Sequence, residues 1–239
     1  DPTSVEYNGR VYVYGTNDQQ QFDEGNGFKA PKGNDYGKIN SLVCMSSADL
    51  VNWTIHNPID VKAVTTSKDK ASWVGNSWAP SICSREESDG KTHFYLYFAN
   101  GGSGIGVLTA TSPTGPWKDP LGKLMINWGQ ATMGDIVWLF DPGVVVDENG
   151  TGWLTWGGGG EPHSNNIAKG ANAMLDMNTR IAKLTPDMLH IDGDIKILPA
   201  PYHFEASELN IIGGKFVYTY CSNWSSDRSM WSKFTQYDH

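Results

Sequence analysis

Trp78-Ala79-Pro80-Ser81-Ile82, followed by Asp89-Gly90-Lys91-Thr92-His93-Phe94-Tyr95-Leu96-Tyr97-Phe98, is a short apolar run, a D-G turn and a run of large alternating side chains. That order is the signature of a β-hairpin. The same grammar occurs three more times. Asp1-Pro2-Thr3-Ser4-Val5 precedes Asn8-Gly9-Arg10-Val11-Tyr12-Val13-Tyr14, and Phe140-Asp141-Pro142-Gly143-Val144 precedes Asn149-Gly150-Thr151-Gly152-Trp153-Leu154-Thr155-Trp156. Phe204-Glu205-Ala206-Ser207-Glu208-Leu209 precedes Gly213-Gly214-Lys215-Phe216-Val217-Tyr218-Thr219-Tyr220.

Working outward, the repeats start at Asp1, Ala79, Asp141 and Glu205, at intervals of 78, 62 and 64 residues. Further strand-like pieces follow each hairpin: Ser41–Ser46, Gly104–Ala110 and Arg180–Leu184. Asp49-Leu50-Val51-Asn52-Trp53 and Ser112–Trp117 then read as outer turns ending in a packed Trp. About 60 residues with four short strands per unit suits a propeller blade. The long first interval contains Gln19–Gly37, a polar insertion read as a surface loop. Ala168–Asp176 is the one helical piece expected. The fourth unit begins near residue 205 of 239, so the expectation is an all-β chain of the five-bladed β-propeller type carrying about three and a half blades. Residues 1–239 are read as one truncated catalytic domain without its fifth blade.

Composition agrees with this architecture. Charged residues are 18%, while Trp, Tyr and Phe number 10, 10 and 8, with 27 Gly and 12 Pro. Many turns, few long helices and no run of about 20 apolar residues exclude a coiled coil and a helical membrane protein. A formal charge of −8 argues against a nucleic-acid partner, whose phosphates need a basic footprint, but not against a neutral polysaccharide. Three cysteines, Cys44, Cys83 and Cys221, form no disulfide framework or zinc spacing and read as buried inert thiols.

The chemistry is expected where the innermost strands converge. Three of the four repeat starts are acidic, Asp1, Asp141 and Glu205, and crowded carboxyls raise one another's pKa until one stays protonated as an acid. Neighbouring Trp and Phe offer faces on which sugars stack. Gly157–Gly160 lacks a phosphate-loop pattern and reads as a tight turn or a close backbone approach, and Gly101–Gly106 reads as a hairpin turn. No His spacing supports a protein metal site.

Together, Asp1-Pro2 before Val11–Asp18, Gly75-Asn76-Ser77-Trp78-Ala79-Pro80, Phe98–Val107, Ser112–Trp117, Val137-Trp138-Leu139-Phe140-Asp141-Pro142 and Phe204-Glu205-Ala206-Ser207 resemble glycoside hydrolase family 43 over essentially the whole chain. That family's five-bladed propellers cleave arabinose and xylose linkages with inversion. The resemblance implies Asp1 as general base, Asp141 as the residue that tunes the acid's pKa, and Glu205 as general acid. It implies a substrate pocket with Asn76, Trp78, Trp138, Phe140 and Arg180, the last equally able to be a structural ion-pair partner. The implied activity is exo-acting removal of α-L-arabinofuranosyl side chains from arabinoxylan. The alternatives are a β-D-xylosidase acting on xylo-oligosaccharides and a non-catalytic carbohydrate-binding propeller. The resemblance implies no cofactor for the chemistry, allows a structural calcium ion, and makes a pentose-containing polysaccharide or oligosaccharide the partner. Such a polymeric substrate implies a secreted or periplasmic protein.

Overall fold

The computed structural model describes residues 1–24, 34–130, 136–159, 178–200 and 203–221. The expected helix at 168–176 lies outside them. Four antiparallel sheets follow one another along the chain. The first contains β1 (Thr3–Tyr7), β2 (Arg10–Thr16), β3 (Ser41–Ser47) and β4 (Thr54–Ile55), with β5 (Ile59–Asp60) also on β3. The second is β6 (Trp78–Glu86), β7 (Thr92–Ala99), β8 (Gly104–Ala110) and β9 (Ile126–Asn127). The third is β10 (Gly143–Val146), β11 (Gly152–Gly157), β12 (Thr179–Leu184) and β13 (Ile191–Ile197), and the fourth is β14 (Glu205–Ile212) with β15 (Lys215–Cys221). The first strand of each sheet packs on the first strand of the next, β1 on β6, β6 on β10 and β10 on β14. The sheets therefore radiate from a common channel as propeller blades, as the sequence leads one to expect.

Turn chemistry sets the hairpins. Asn8-Gly9 and Gly213-Gly214 are two-residue connections with positive φ at both positions (51° and 72°, 58° and 74°), the backbone that matches strand twist. The D-G and N-G turns of the middle blades are longer. Glu87 and Lys91, like Asp147 and Thr151, close loops in which Gly90 and Gly150 supply the left-handed residue.

Alternation along β7 explains the core. Phe94, Leu96 and Phe98 face blade 1 and pack with Tyr14, Leu42 and Trp117. Tyr95, Tyr97 and Ala99 point the other way and join Leu154 and Trp156 of blade 3. A strand buried on both faces needs large residues at every position, and each fully buried ring or aliphatic group contributes about 1.5–3 kcal/mol.

Three local expectations are corrected. The insertion after β2 is not simply a surface loop: Asp18–Glu24 forms α1, and a 3₁₀ turn covers Tyr36–Lys38. Its glutamines fold back onto the chain, since Gln21 Oε1 accepts from the Asp35 amide at 2.8 Å and Gln20 Oε1 from the Asn40 amide at 2.9 Å. Trp117 is packed as expected, but Trp53 is 39% exposed, because the Ser47–Asn52 turn is held by Asp49 and Ser47 side chains rather than by burial. Cys44 and Cys83 are buried thiols whose burial pushes their pKa up, whereas Cys221 is only partly covered. A second short helix, α2 (Val61–Val64), is capped by Asp60 and packs on β3, with Val61 buried.

Candidate active site

The strand register corrects the alignment of the repeats. In blade 2 Trp78 pairs with Ala99 and Ser81 with Tyr97; in blade 4 Glu205 pairs with Cys221 and Glu208 with Thr219; both strands are bulged between these pairs. In blade 3 the Gly157 amide donates to Phe140 and Gly143 pairs with Thr155. Trp78, Phe140 and Glu205 are thus equivalent, and so are Ala79, Asp141 and Ala206. The second set carries left-handed φ at all three positions, 40°, 47° and 56°. Such non-glycine backbone costs about 1–3 kcal/mol and persists where surrounding structure imposes it. Glu205 therefore comes one residue earlier in its blade than Asp141 does in its own. The sequence repeat alone hid that offset, because the hairpin grammar fixes the turn and the alternation but not which residue opens the inner strand; the register does.

Asp1, Asp141 and Glu205 nevertheless line one cavity of about 890 Å³. Asp141 is 3% exposed. Its Oδ2 accepts from the Ala206 amide at 2.6 Å, and its carbonyl accepts from the Ser207 hydroxyl at 2.8 Å, so blade 4 is pinned to it beside Glu205. Burial, with the Glu205 charge adding to it and the Ala206 amide opposing, pushes the Asp141 carboxyl up to about 7. Burial also raises Glu205. Both shifts favour retention of a proton at the pair.

The sign of the linkage is testable. A carboxyl raised from 3.8 to about 7 binds more protons folded than unfolded between those values, so it removes stability as pH rises through that window. Asp141→Asn is expected to flatten this fall, narrowing the difference in Tm between pH 4.5 and pH 7.5 by about 5 °C. Equal pH slopes for the two proteins by calorimetry would contradict the burial argument.

Aromatic rings wall the cavity. Trp78, Trp138 and Phe140 all line it. Trp138 stands edge-on to Phe140 at 5.4 Å and Phe204 at 5.6 Å and remains 39% exposed. Glycines make room for it: a Cβ on Gly102 would lie 3.3 Å, and one on Gly159 2.9 Å, from the indole. Gly157–Gly159 is the close backbone approach expected, with a Cβ on Gly157 meeting the Asn178 carbonyl at 2.1 Å; Gly160 lies outside the described residues.

The structure brings six of the eight expected site residues to the cavity wall. Asn76 sits behind it, donating to the carbonyls of Tyr36 and Ile39, both at 3.2 Å. Arg180 is 1% exposed, donates to the Thr179 carbonyl at 3.1 Å and is not among the residues that line the cavity. The reading from sequence missed the insertion's share of the wall: Asp18, Gln21, Phe22, Asn34 and Tyr36 all line the cavity. Tyr36 is locked there by Trp78, whose Nε1 donates to its carbonyl at 3.1 Å. The spaced Phe22 and Tyr36 within a polar stretch are the signal that could have flagged it.

No group of three or more His, Cys, Asp or Glu is arranged to hold an ion among the described residues. Buried His203 has Nδ1 3.0 Å from Asn178 Oδ1 and Nε2 3.1 Å from the Tyr218 hydroxyl, so both ring nitrogens are engaged. Among the described residues no helix is long and apolar enough to cross a membrane.

Propeller blades converging on two raised carboxyls and a third acid, inside an aromatic wall, define the class of carbohydrate-cleaving propellers. The chain belongs to the glycosyl hydrolases family 43, whose family model matches residues 1–228. It is 44% identical over 226 residues to an arabinoxylan arabinofuranohydrolase of Bacillus subtilis, covering 93% of this chain and 43% of that protein. It is 40% identical to an arabinoxylan arabinofuranohydrolase of Paenibacillus polymyxa, covering 94% of this chain and 35% of that protein. The crystal structure of a Bacillus subtilis family 43 arabinoxylan arabinofuranohydrolase in complex with cellotetraose superimposes with a TM-score of 0.80 at 41% identity, over 94% of this chain and 46% of that one. An α-L-arabinofuranosidase from Clostridium thermocellum superimposes with a TM-score of 0.68 at 35% identity, over 95% and 64%. The chain spans less than half the length of these two curated relatives. The family's propellers have five blades, and the described residues make up four of them, the fourth as a two-stranded sheet.

Proposed function

We propose that this chain is the catalytic propeller domain of an inverting, exo-acting glycoside hydrolase that removes α-L-arabinofuranosyl side chains from arabinoxylan. The observation that carries the reading is the convergence of Asp1, Asp141 and Glu205 on a single aromatic-walled cavity. Family membership and the 44% and 40% identities to arabinoxylan arabinofuranohydrolases support the substrate.

The mechanism follows from two carboxyls on opposite sides of a sugar. Glu205, whose pKa burial raises, donates its proton to the glycosidic oxygen as the bond from the anomeric carbon to that oxygen breaks. Asp1 takes a proton from a water molecule, whose oxygen bonds to the anomeric carbon from the other face. The sugar leaves with inverted configuration, and Glu205 is left ionised. Asp141 contacts neither transferred proton; it acts on Glu205, through its charge and through the Ala206 amide that it holds. Trp78, Trp138 and Phe140 present faces and edges to the sugar ring. Asn76 acts through Tyr36, whose carbonyl its amide holds. The chemistry needs no cofactor, and a structural calcium ion, which takes backbone carbonyl, amide and water oxygens as well as carboxylates, is compatible with this reading. A polymeric substrate calls for a secreted or periplasmic protein.

The decisive experiment measures the full-length protein on 4-nitrophenyl α-L-arabinofuranoside, 4-nitrophenyl β-D-xylopyranoside and arabinoxylan, with NMR of the anomer first released. Faster turnover of the arabinoside, free arabinose from the polymer and inverted product are expected. Preference for the xyloside would make the protein a β-D-xylosidase. Binding without turnover would make it a carbohydrate-binding propeller, and retained configuration would overturn the roles of Asp1 and Glu205. Trp138→Ala, which removes a half-exposed ring, is expected to raise KM for the arabinoside about tenfold with a smaller change in kcat. An unchanged KM would exclude Trp138 from the sugar site.

A further inference from the structure

Below the carboxyls the channel has a second tier. Thr3, Ser81, Gly143 and Glu208 occupy matching places on the four inner strands, next along the chain from the residues of the substrate cavity, and a second cavity of about 510 Å³, with Thr3 and Glu208 in its wall, opens between the inner strands of all four blades. One bonding rule repeats around this tier. The Ile82 amide of blade 2 donates to Thr3 Oγ1 of blade 1 at 3.2 Å, and the Val144 amide of blade 3 donates to Ser81 Oγ of blade 2 at 2.9 Å.

At the third junction the rule breaks. Gly143 has no hydroxyl, and no side chain fits there: a Cβ would lie 2.6 Å from Thr155 Oγ1 and 2.8 Å from the Leu209 nitrogen. The Leu209 amide turns instead to Glu208 Oε1 at 3.2 Å. That same oxygen accepts the Ser81 hydroxyl at 2.7 Å, and the Thr3 side chain also hydrogen-bonds Glu208. One carboxyl of blade 4 thus collects hydroxyls from blades 1 and 2, whose oxygens hold amides of blades 2 and 3. The strand starts it ties together are those that carry Asp1, Asp141 and Glu205.

We infer that Glu208 is a positioning residue for the hydrolysis: by accepting the Ser81 and Thr3 hydroxyls it sets the separation of the inner strands, and so the placement of Asp1 and Asp141 relative to Glu205. The inference rests on the glycosidase reading above for its kinetic consequence, but not for its geometry. Glu208 belongs to the lower cavity and does not line the substrate cavity. Its loss therefore bears on kcat rather than on substrate binding, because a misplacement of about 1 Å can cost on the order of 10²-fold in rate.

The test uses the full-length protein and three variants, Glu208→Ala, Glu208→Gln and Ser81→Ala. It measures kcat and KM on whichever aryl pentoside the wild type turns over, and pentose binding stoichiometry by calorimetry to count folded sites. Glu208→Ala is expected to lose about 10–100-fold in kcat, with KM within about threefold and stoichiometry near one. Glu208→Gln, whose amide oxygen still accepts from Ser81 and Leu209, should stay within about fivefold of the wild type, and Ser81→Ala should lose about three- to tenfold. The inference is overturned if Glu208→Ala keeps kcat at full stoichiometry, if its loss merely follows the loss of folded sites, or if Gln is as damaging as Ala. Should Glu208→Ala not fold, Ser81→Ala decides in the same terms. If the wild type hydrolyses no pentoside, the glycosidase reading fails separately. A crystal structure of Glu208→Ala or Ser81→Ala then judges the geometry: Asp1 and Asp141 displaced relative to Glu205 supports the inference, and unmoved strand starts refute it.

Discussion

Asp1→Asn in the full-length protein is expected to lower kcat by about 10²–10⁴-fold on the aryl arabinofuranoside and on arabinoxylan alike. The amide keeps the size and most of the hydrogen bonding of the carboxylate but cannot take a proton from water. Every turnover needs that proton removed, whatever group leaves, so a better leaving group brings no relief. KM should stay within a few fold, because Trp78, Trp138 and Phe140 come from other blades. Steady-state kinetics on both substrates decide the matter. A variant that keeps more than about a tenth of wild-type kcat on either one would show that Asp1 is not the base.

Glu205→Gln is expected to behave differently on the two substrates. Loss of the proton donor should cost about 10²–10⁴-fold on arabinoxylan, whose leaving group is a sugar hydroxyl that must be protonated as it departs. On 4-nitrophenyl arabinofuranoside the loss should be at least tenfold smaller, because nitrophenolate leaves with little protonation. The acid-dependent limb of the pH–rate profile should disappear on the aryl substrate, since the carboxyl that titrates there is gone. Equal losses on both substrates would assign the proton to another group. In that comparison Asp141→Asn is expected to retain the limb but shift it, because it alters the field and backbone around Glu205 without removing the acid.

Much of the fold was legible in the sequence because its signals are local. The period-two alternation of Phe94–Phe98 and the turn pairs Asn8-Gly9 and Gly213-Gly214 fix hairpins through sterics and twist within about ten residues. Four such hairpins at intervals near 60 residues sufficed for blades, and the acids at their starts sufficed to bring Asp1, Asp141 and Glu205 to one cavity. Other features depend on contacts across long sequence separations. The offset of Glu205 from Asp141 is visible only when the register of β14 on β15 is set beside those of the other blades. Tyr36 joins the cavity wall because Trp78, 42 residues further on, holds its carbonyl. Asn76 and Arg180 carry the right side chains for a sugar site, but Asn76 turns its amide to the backbone of the insertion and Arg180 lies inside blade 3. Glu208 reads in sequence as one more polar residue on an alternating strand. Only the tertiary structure puts it against Ser81, 127 residues away, where the missing hydroxyl of Gly143 leaves a carboxyl to complete the tier.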